Sequence, residues 1–363
     1  MFFRPFATSR NTDPPGVTQR RTSKAGAFAV VPLLVAGGAA QTPVASPGRV
    51  ETLRSIGGLP PETCNVFREP VALQRIPSGT YFVFDRRAHA VFTVPSRGAP
   101  AFKIVDIGGE GGRLLEPSAF DVAPDGRFAV ADAPRGQERL QVFDASGKWL
   151  SGFFLPGRAQ TRISVAGVAF GGASTLSFLG DRLVLNEPET GALITEYSLG
   201  GTPTRSIGAL RATGHESDRQ LHLAMNSGIP VPDHQGGYYF VFFAGTPVVR
   251  RYDAKGALMF ERIMQGRELD PVLEQMPKKW PRRNVDGTEL PLVVPTVRTA
   301  AADGAGNLWV AFLTPFTYVF DSAGEKIRTV QFHATGLIAP GSLSFTSRDR
   351  VLITPGCFEF PTS

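Results

Sequence analysis

The sequence predicts an all-β protein: a six-bladed β-propeller of four-stranded antiparallel blades, with the ring closed by an N-terminal strand completing the C-terminal blade. Three observations predict it. Short runs that alternate apolar and polar residues recur between turns rich in Gly, Pro and Asp, the pattern of half-buried antiparallel strands. An acidic or polar residue stands three positions ahead of Gly at Asp144–Gly147, Asp253–Gly256 and Asp321–Gly324, with weaker copies at Pro95–Gly98 and Pro188–Gly191. The markers also keep a period: four strands in about 45 residues is the size of one blade. Gly98 to Gly147 and Gly147 to Gly191 each fit one blade. Gly191 to Gly256 and Gly256 to Gly324 each fit one blade plus an insert, because each interval holds a single set of strands.

Residues 1–40 stand apart from this pattern. Arg20, Arg21 and Lys24 precede an apolar run from Ala25 to Ala36, followed by the small residues Gly37 to Ala40. This order reads as an export signal cleaved near Ala40, with the mature protein periplasmic or secreted. The run is too short to span a bilayer, which takes about 20 apolar residues, so no integral membrane span is expected. A single domain over 41–363 remains. Arg49 to Ile56, followed by Gly57-Gly58, supplies the strand that the C-terminal blade lacks, since an unclosed ring would leave an open sheet edge. A loop from Pro60 to Pro70 leads into blade one, Val71 to Gly108. Blade two follows, with strands at Ala119–Ala123, Arg127–Ala131, Arg139–Phe143 and Trp149–Phe154. Blade three spans Gln160 to Gly200 and an insert runs from Gly201 to Gln220. Blade four spans His222 to Met264, and a second insert, Gln265 to Pro295, opens with a short helix over Glu268–Met276. Blade five covers Val297 to Phe332, and the runs SLSFTS and RVLITPGCFEF give the inner strands of blade six.

Blade two carries a resemblance. Ile107-Gly108 and its Gly-rich loop, Pro117, the Asp125-Gly126 turn, Val130-Ala131-Asp132, and Arg139-x-Gln-Val-Phe-Asp-x-x-Gly147 together resemble the NHL repeat. The remaining blades match more loosely, and the chain from about 50 to 360 is similar to exported bacterial six-bladed propellers with NHL-like or TolB-like blades. The resemblance implies the fold. It leaves function open among ligand binding, protein docking and a few lyase or hydrolase activities, because such folds host many functions.

The composition narrows the classes. The whole chain has 38 basic and 32 acidic residues; five of the basic ones (Arg4, Arg10, Arg20, Arg21, Lys24) and Asp13 lie in residues 1–40, leaving 33 and 31. That near-neutral body lacks the basic excess of a nucleic-acid binder, so no nucleic acid is expected as partner. A 42% hydrophobic content rules out a disordered chain. The protein is expected to be a monomer. The two cysteines, Cys64 and Cys357, fall on either side of the ring closure, and in an oxidising compartment they are expected to form a disulfide.

Both inserts connect an outer strand to the next inner strand, so they rise on one face, around the channel mouth. Long loops on a rigid scaffold are where function is usually placed. The second insert holds the one dense basic cluster of the body: Lys278, Lys279, Arg282 and Arg283 around Trp280. These are the candidate contacts for a protein partner or a small anionic or sugar-like ligand. The alternative is a solvated lid with Trp280 packed on the rim. His222, at the start of blade four, is a further candidate if it faces the channel. Catalytic motifs are sparse: His215-Glu216 and His222 lack HExxH spacing, and no GxSxG elbow exists. The Gly108–Gly112 loop has no following Lys-Ser/Thr and reads as a blade connection. Asp121, Asp125, Asp132 and Asp303 read as residues that hydrogen-bond turn backbone. No cofactor is expected. Calcium at the channel, as in gluconolactonase-like propellers, would draw on Asn226, Asp233 and Asp303. A metal-dependent lactonase- or lyase-like enzyme at the channel mouth is the alternative to a non-enzymatic binding protein.

Overall fold

A computed structural model of the chain describes residues 49–156, 163–165, 168–170, 175–285 and 288–362. The expected export signal lies outside the described residues. Two N-terminal strands come first, β1 (Val50–Arg54) and β2 (Gly57–Gly58), then a one-turn helix α1 (Pro61–Cys64). Blade one is β3 (Pro70–Arg75), β4 (Tyr81–Asp85), β5 (Ala90–Val94) and β6 (Phe102–Val105). Blade two is β7 (Ala119–Val122), β8 (Phe128–Asp132), β9 (Arg139–Phe143) and β10 (Trp149–Phe154). A hairpin of β11 (Ile163–Val165) and β12 (Val168–Phe170) precedes blade three, which is β13 (Leu176–Leu179), β14 (Arg182–Leu185), β15 (Ala192–Ser198) and β16 (Pro203–Ala209). Helix α2 (Arg219–Met225) leads to blade four: β17 (Gly228–Pro232), β18 (Tyr238–Phe242), β19 (Val248–Tyr252) and β20 (Leu258–Ile263). Helix α3 (Asp270–Glu274) and a hairpin of β21 (Arg282–Val285) and β22 (Thr288–Pro291) lead to blade five: β23 (Val297–Ala302), β24 (Leu308–Phe312), β25 (Thr317–Phe320) and β26 (Lys326–His333). The short β27 (Leu337–Ile338) pairs with β26, and blade six is β28 (Ser342–Ser347), β29 (Arg350–Thr354) and β30 (Phe358–Pro361) with β2.

Six antiparallel blades therefore stand in sequence order around the ring. The middle strands are the most apolar: β4, β8, β18 and β24 are buried at every residue. Their side chains fill the seams between blades, where stacked and tilted rings such as Phe84–Phe120 and Phe128–Phe143 meet. The outer-strand turn recurs with one mechanism. At Asp144, Asp253 and Asp321 a carboxylate oxygen accepts the backbone N–H groups two and four residues on, at 2.8–3.0 Å. Gly147 at φ +87° then closes the turn against blade one, where a Cβ would lie 2.2 Å from the Ile104 carbonyl oxygen.

Several boundaries differ from the sequence reading. Pro203–Ala209, expected within the first insert, is the outer strand of blade three. His222, expected to begin blade four, lies with Leu221 to Met225 in α2, which Asn226 caps, and the inner strand of the blade is Gly228–Pro232. Its Pro230 and Pro232 are tolerated because β17 pairs only with β18, so proline takes no ladder donor on the channel side. β11 and β12 likewise lie outside blade three, whose inner strand is β13.

The closure uses both halves of the N-terminal segment differently. β1 adds to blade five, parallel to β26, with Thr52 opposite Gln331. Leu53 there is buried beside Phe332 and Phe360, in the seam of blades five and six. The chain then crosses over: the Ser55 N–H donates to the His333 carbonyl and the Ile56 N–H to the Glu359 carbonyl. Only Gly57–Gly58 completes blade six, pairing with β30. Gly58 is required, because a Cβ would sit 2.0 Å from the Cys357 carbonyl oxygen. The Cys64–Cys357 disulfide fastens the same junction, with Cα atoms 6.2 Å apart.

Candidate functional site

The two inserts form one platform on the face where outer strands hand over to inner ones. Asp218 caps α2, accepting the Leu221 N–H at 3.3 Å, which satisfies one of the donors a helix start leaves open. The same carboxylate pairs with Arg282 from the second insert. Leu221 of α2, Ala244 and Val293 are buried together, with Ala224, Met225 and Trp280 packed against them. Beneath, Asn226 has no exposed surface; it accepts the Arg211 N–H at 2.8 Å and donates to the carbonyls of Arg211 and His222. The Arg211 guanidinium lies 4.0 Å from the Phe242 ring centre and donates to the carbonyls of Met225 and Ala244. Burial, together with neighbouring Arg250, lowers its pKa to about 10. The second insert is anchored in the seam of blades four and five by Leu269, 1% exposed, in one cluster with Met264 at the end of blade four. There the Tyr318 hydroxyl donates to Glu268 at 2.6 Å.

The predicted cluster is thus divided. Trp280 packs inward against α2, and Arg282 is committed to Asp218. Lys278, Lys279 and Arg283 are exposed. His222 does not reach the channel. It sits on α2, its Nδ1 2.8 Å from the Thr213 hydroxyl and 4.0 Å from Glu216, bracing the first insert. It was misplaced because Leu221, Leu223 and Met225 alternate as in a strand, whereas the Asp218 cap was the signal for a helix.

The predicted calcium set also fails to converge. Asn226 is spent under α2, Asp233 pairs with Arg251 at 2.6 Å, and Asp303 binds Asn307 and the Trp309 indole N–H. Among the described residues no group of three His, Cys, Asp or Glu side chains could hold a metal ion. Asp132 bonds loop backbone, as expected, and an arginine as well. It takes two hydrogen bonds from Arg139, at 2.7 and 2.9 Å, and one from the Leu115 N–H. Arg139 and Gln141 in turn bind the carbonyls of Gly109 and Arg113, so the Gly-rich loop is clamped to its own blade.

Asp121, expected to bond turn backbone, instead reaches into two neighbouring blades. It lines the central channel, a cavity of about 200 Å³ bounded by the six inner strands. Its two oxygens accept the Gln74 Nε2–H at 2.8 Å and the Phe178 N–H at 2.6 Å, joining blades one, two and three. Gln74 is fixed by the Val122 N–H on its carbonyl oxygen at 2.9 Å. Burial pushes the Asp121 carboxyl up to about 6, against those hydrogen bonds. Ser177, on the next blade, donates to the Pro230 carbonyl at 3.1 Å, and His234 Nε2 to the Asp303 carbonyl at 2.7 Å.

No known family matches the chain, and no curated protein matches its sequence. Among solved structures it is similar to virginiamycin B lyase from Staphylococcus aureus at 8% identity and TM-score 0.48, covering 85% of this chain and 97% of that one. It is also similar to regucalcin, a calcium-binding protein from Agrobacterium tumefaciens, at 13% identity and TM-score 0.47, covering 86% and 95%. A streptogramin B lyase gives 9% identity and TM-score 0.46, covering 80% and 92%. Likenesses this distant carry no functional argument; the fold rests on the strand pairing itself.

Proposed function

We propose that the chain is an exported, NHL-like β-propeller that acts as a non-enzymatic binding protein, docking an acidic protein segment on its insert face. The observation that carries this is the locked platform: Trp280 and Arg282 fix the second insert onto α2, and Lys278, Lys279 and Arg283 are exposed on either side of those anchors. An anchored insert loses less conformational entropy on binding. The disulfide supports an oxidising compartment. Among the described residues no helix is long and apolar enough to cross a membrane.

Binding of a fluorescent poly-glutamate peptide tests the platform. Replacing Lys278, Lys279 and Arg283 by Glu is expected to weaken binding at least tenfold and to leave thermal unfolding unchanged. Equal binding by the variant sinks the proposal. A divalent-cation lactonase or lyase at the channel mouth is the second reading, favoured by one observation, the Asp121 carboxylate inside the channel. Stoichiometric calcium or zinc, by elemental analysis of protein purified without chelator, would favour that enzyme.

A further inference from the structure

The channel contains a site separate from the platform. All inner strands run from the insert face toward the hairpin turns. Gln74, Asp121 and His234 lie late in or just after β3, β7 and β17, so the polar end of the cavity belongs to the opposite mouth. At that end Asp121 meets only N–H donors from the protein, and among the described residues it pairs with no Lys, Arg or His. A carboxylate has about four acceptor sites, so lone pairs remain for the cavity. An amide in its place would set its own N–H₂ against one of the two donors. The two donors address the ionised form, while burial without a cation nearby opposes it, so a bound cation would be favoured. The lining mixes hydroxyls (Ser177, Thr299, Ser342) with Phe120, Leu176 and Ile229, which border it from the blade seams and expose 1–3% of their surface. About 200 Å³ is below the roughly 300–1,000 Å³ of sites for drug-sized ligands, which sets the ligand as small.

We propose that this end of the channel binds a small primary amine, its ammonium on the Asp121 carboxylate. Of the residues lining the cavity, Asp121 and His234 are the two with ionisable side chains. His234 is held as a donor to Asp303, leaving Asp121 as the acceptor for the ligand.

Calorimetric titration of the full chain with benzylamine, with benzyl alcohol and with calcium chloride tests this. The expected result is one benzylamine site, at least tenfold tighter than benzyl alcohol, lost in Asp121→Ala and unchanged in Lys278→Glu/Lys279→Glu. The amine–alcohol comparison uses the unaltered protein, so it stands even where Asp121→Ala does not fold. Equal binding of amine and alcohol, binding of neither, or binding of calcium without benzylamine would overturn the proposal.

Discussion

Asp121 is a residue whose proton is coupled to folding. Its folded pKa of about 6 lies above the value of about 3.9 for an unfolded aspartate. The folded state therefore holds the proton more tightly. The stability this group contributes is present below pH 4 and lost as pH rises through about 6. Comparing thermal unfolding of the wild type and Asp121→Asn across pH 4 to 7 isolates it. The wild type should fall relative to the variant by an amount on the order of 1–2 kcal/mol, discounted because the residue faces a solvent-filled channel. A pH-independent difference would mean that burial does not raise this carboxyl. The sequence placed Asp121 in a strand but could not show that its partners are Gln74 and Phe178, each about 50 residues away. Cys64 and Cys357 were legible because a ring demands that its ends meet. Nothing local marks a side chain that reaches across two blade seams.

At the scale of elements, strands with their own turn chemistry were readable and those shaped by position were not. The four strands of blade two lie within a residue of expectation, because each is bounded by an Asp–Gly or Gly-rich turn. β17 was hidden by its two prolines, which only an inner edge accommodates, and β16 by a polar run, Pro203 to Ala209, that looks like a loop. The platform depends on one carboxylate used twice. Asp218→Ala removes both the cap of α2 and the ion pair to Arg282, at a cost of about 1 kcal/mol. Hydrogen exchange should then quicken at the amides of α2 and of β21–β22, with the blade strands unchanged. Protection that stays the same in both inserts would show that the apolar contacts of Trp280 hold the platform alone.

At the scale of the whole molecule, the ring is a closed set of sheets held by a short junction. Blade six receives only two residues from the N-terminus, and the disulfide bridges a sequence separation of 293 residues. The loop-entropy relation gives such a crosslink at most about 6 kcal/mol, and native bridges usually yield 2–5. Cys64→Ser/Cys357→Ser is therefore expected to unfold at a denaturant concentration lower by that equivalent, and reductant should leave the variant unchanged. Six blades were legible from the Asp-x-x-Gly period, whereas the parallel pairing of β1 with blade five was not, since a borrowed strand fits either neighbouring edge by composition. The route of this segment has a consequence in time. During synthesis the residues that seal the circle emerge before the strands they dock on, β26 and β30. Until Phe358 to Pro361 exist, residues 49–58 have no complete groove to enter, and the nascent propeller remains an open arc. The ring therefore cannot close until β30, the strand that receives Gly57–Gly58, has been made.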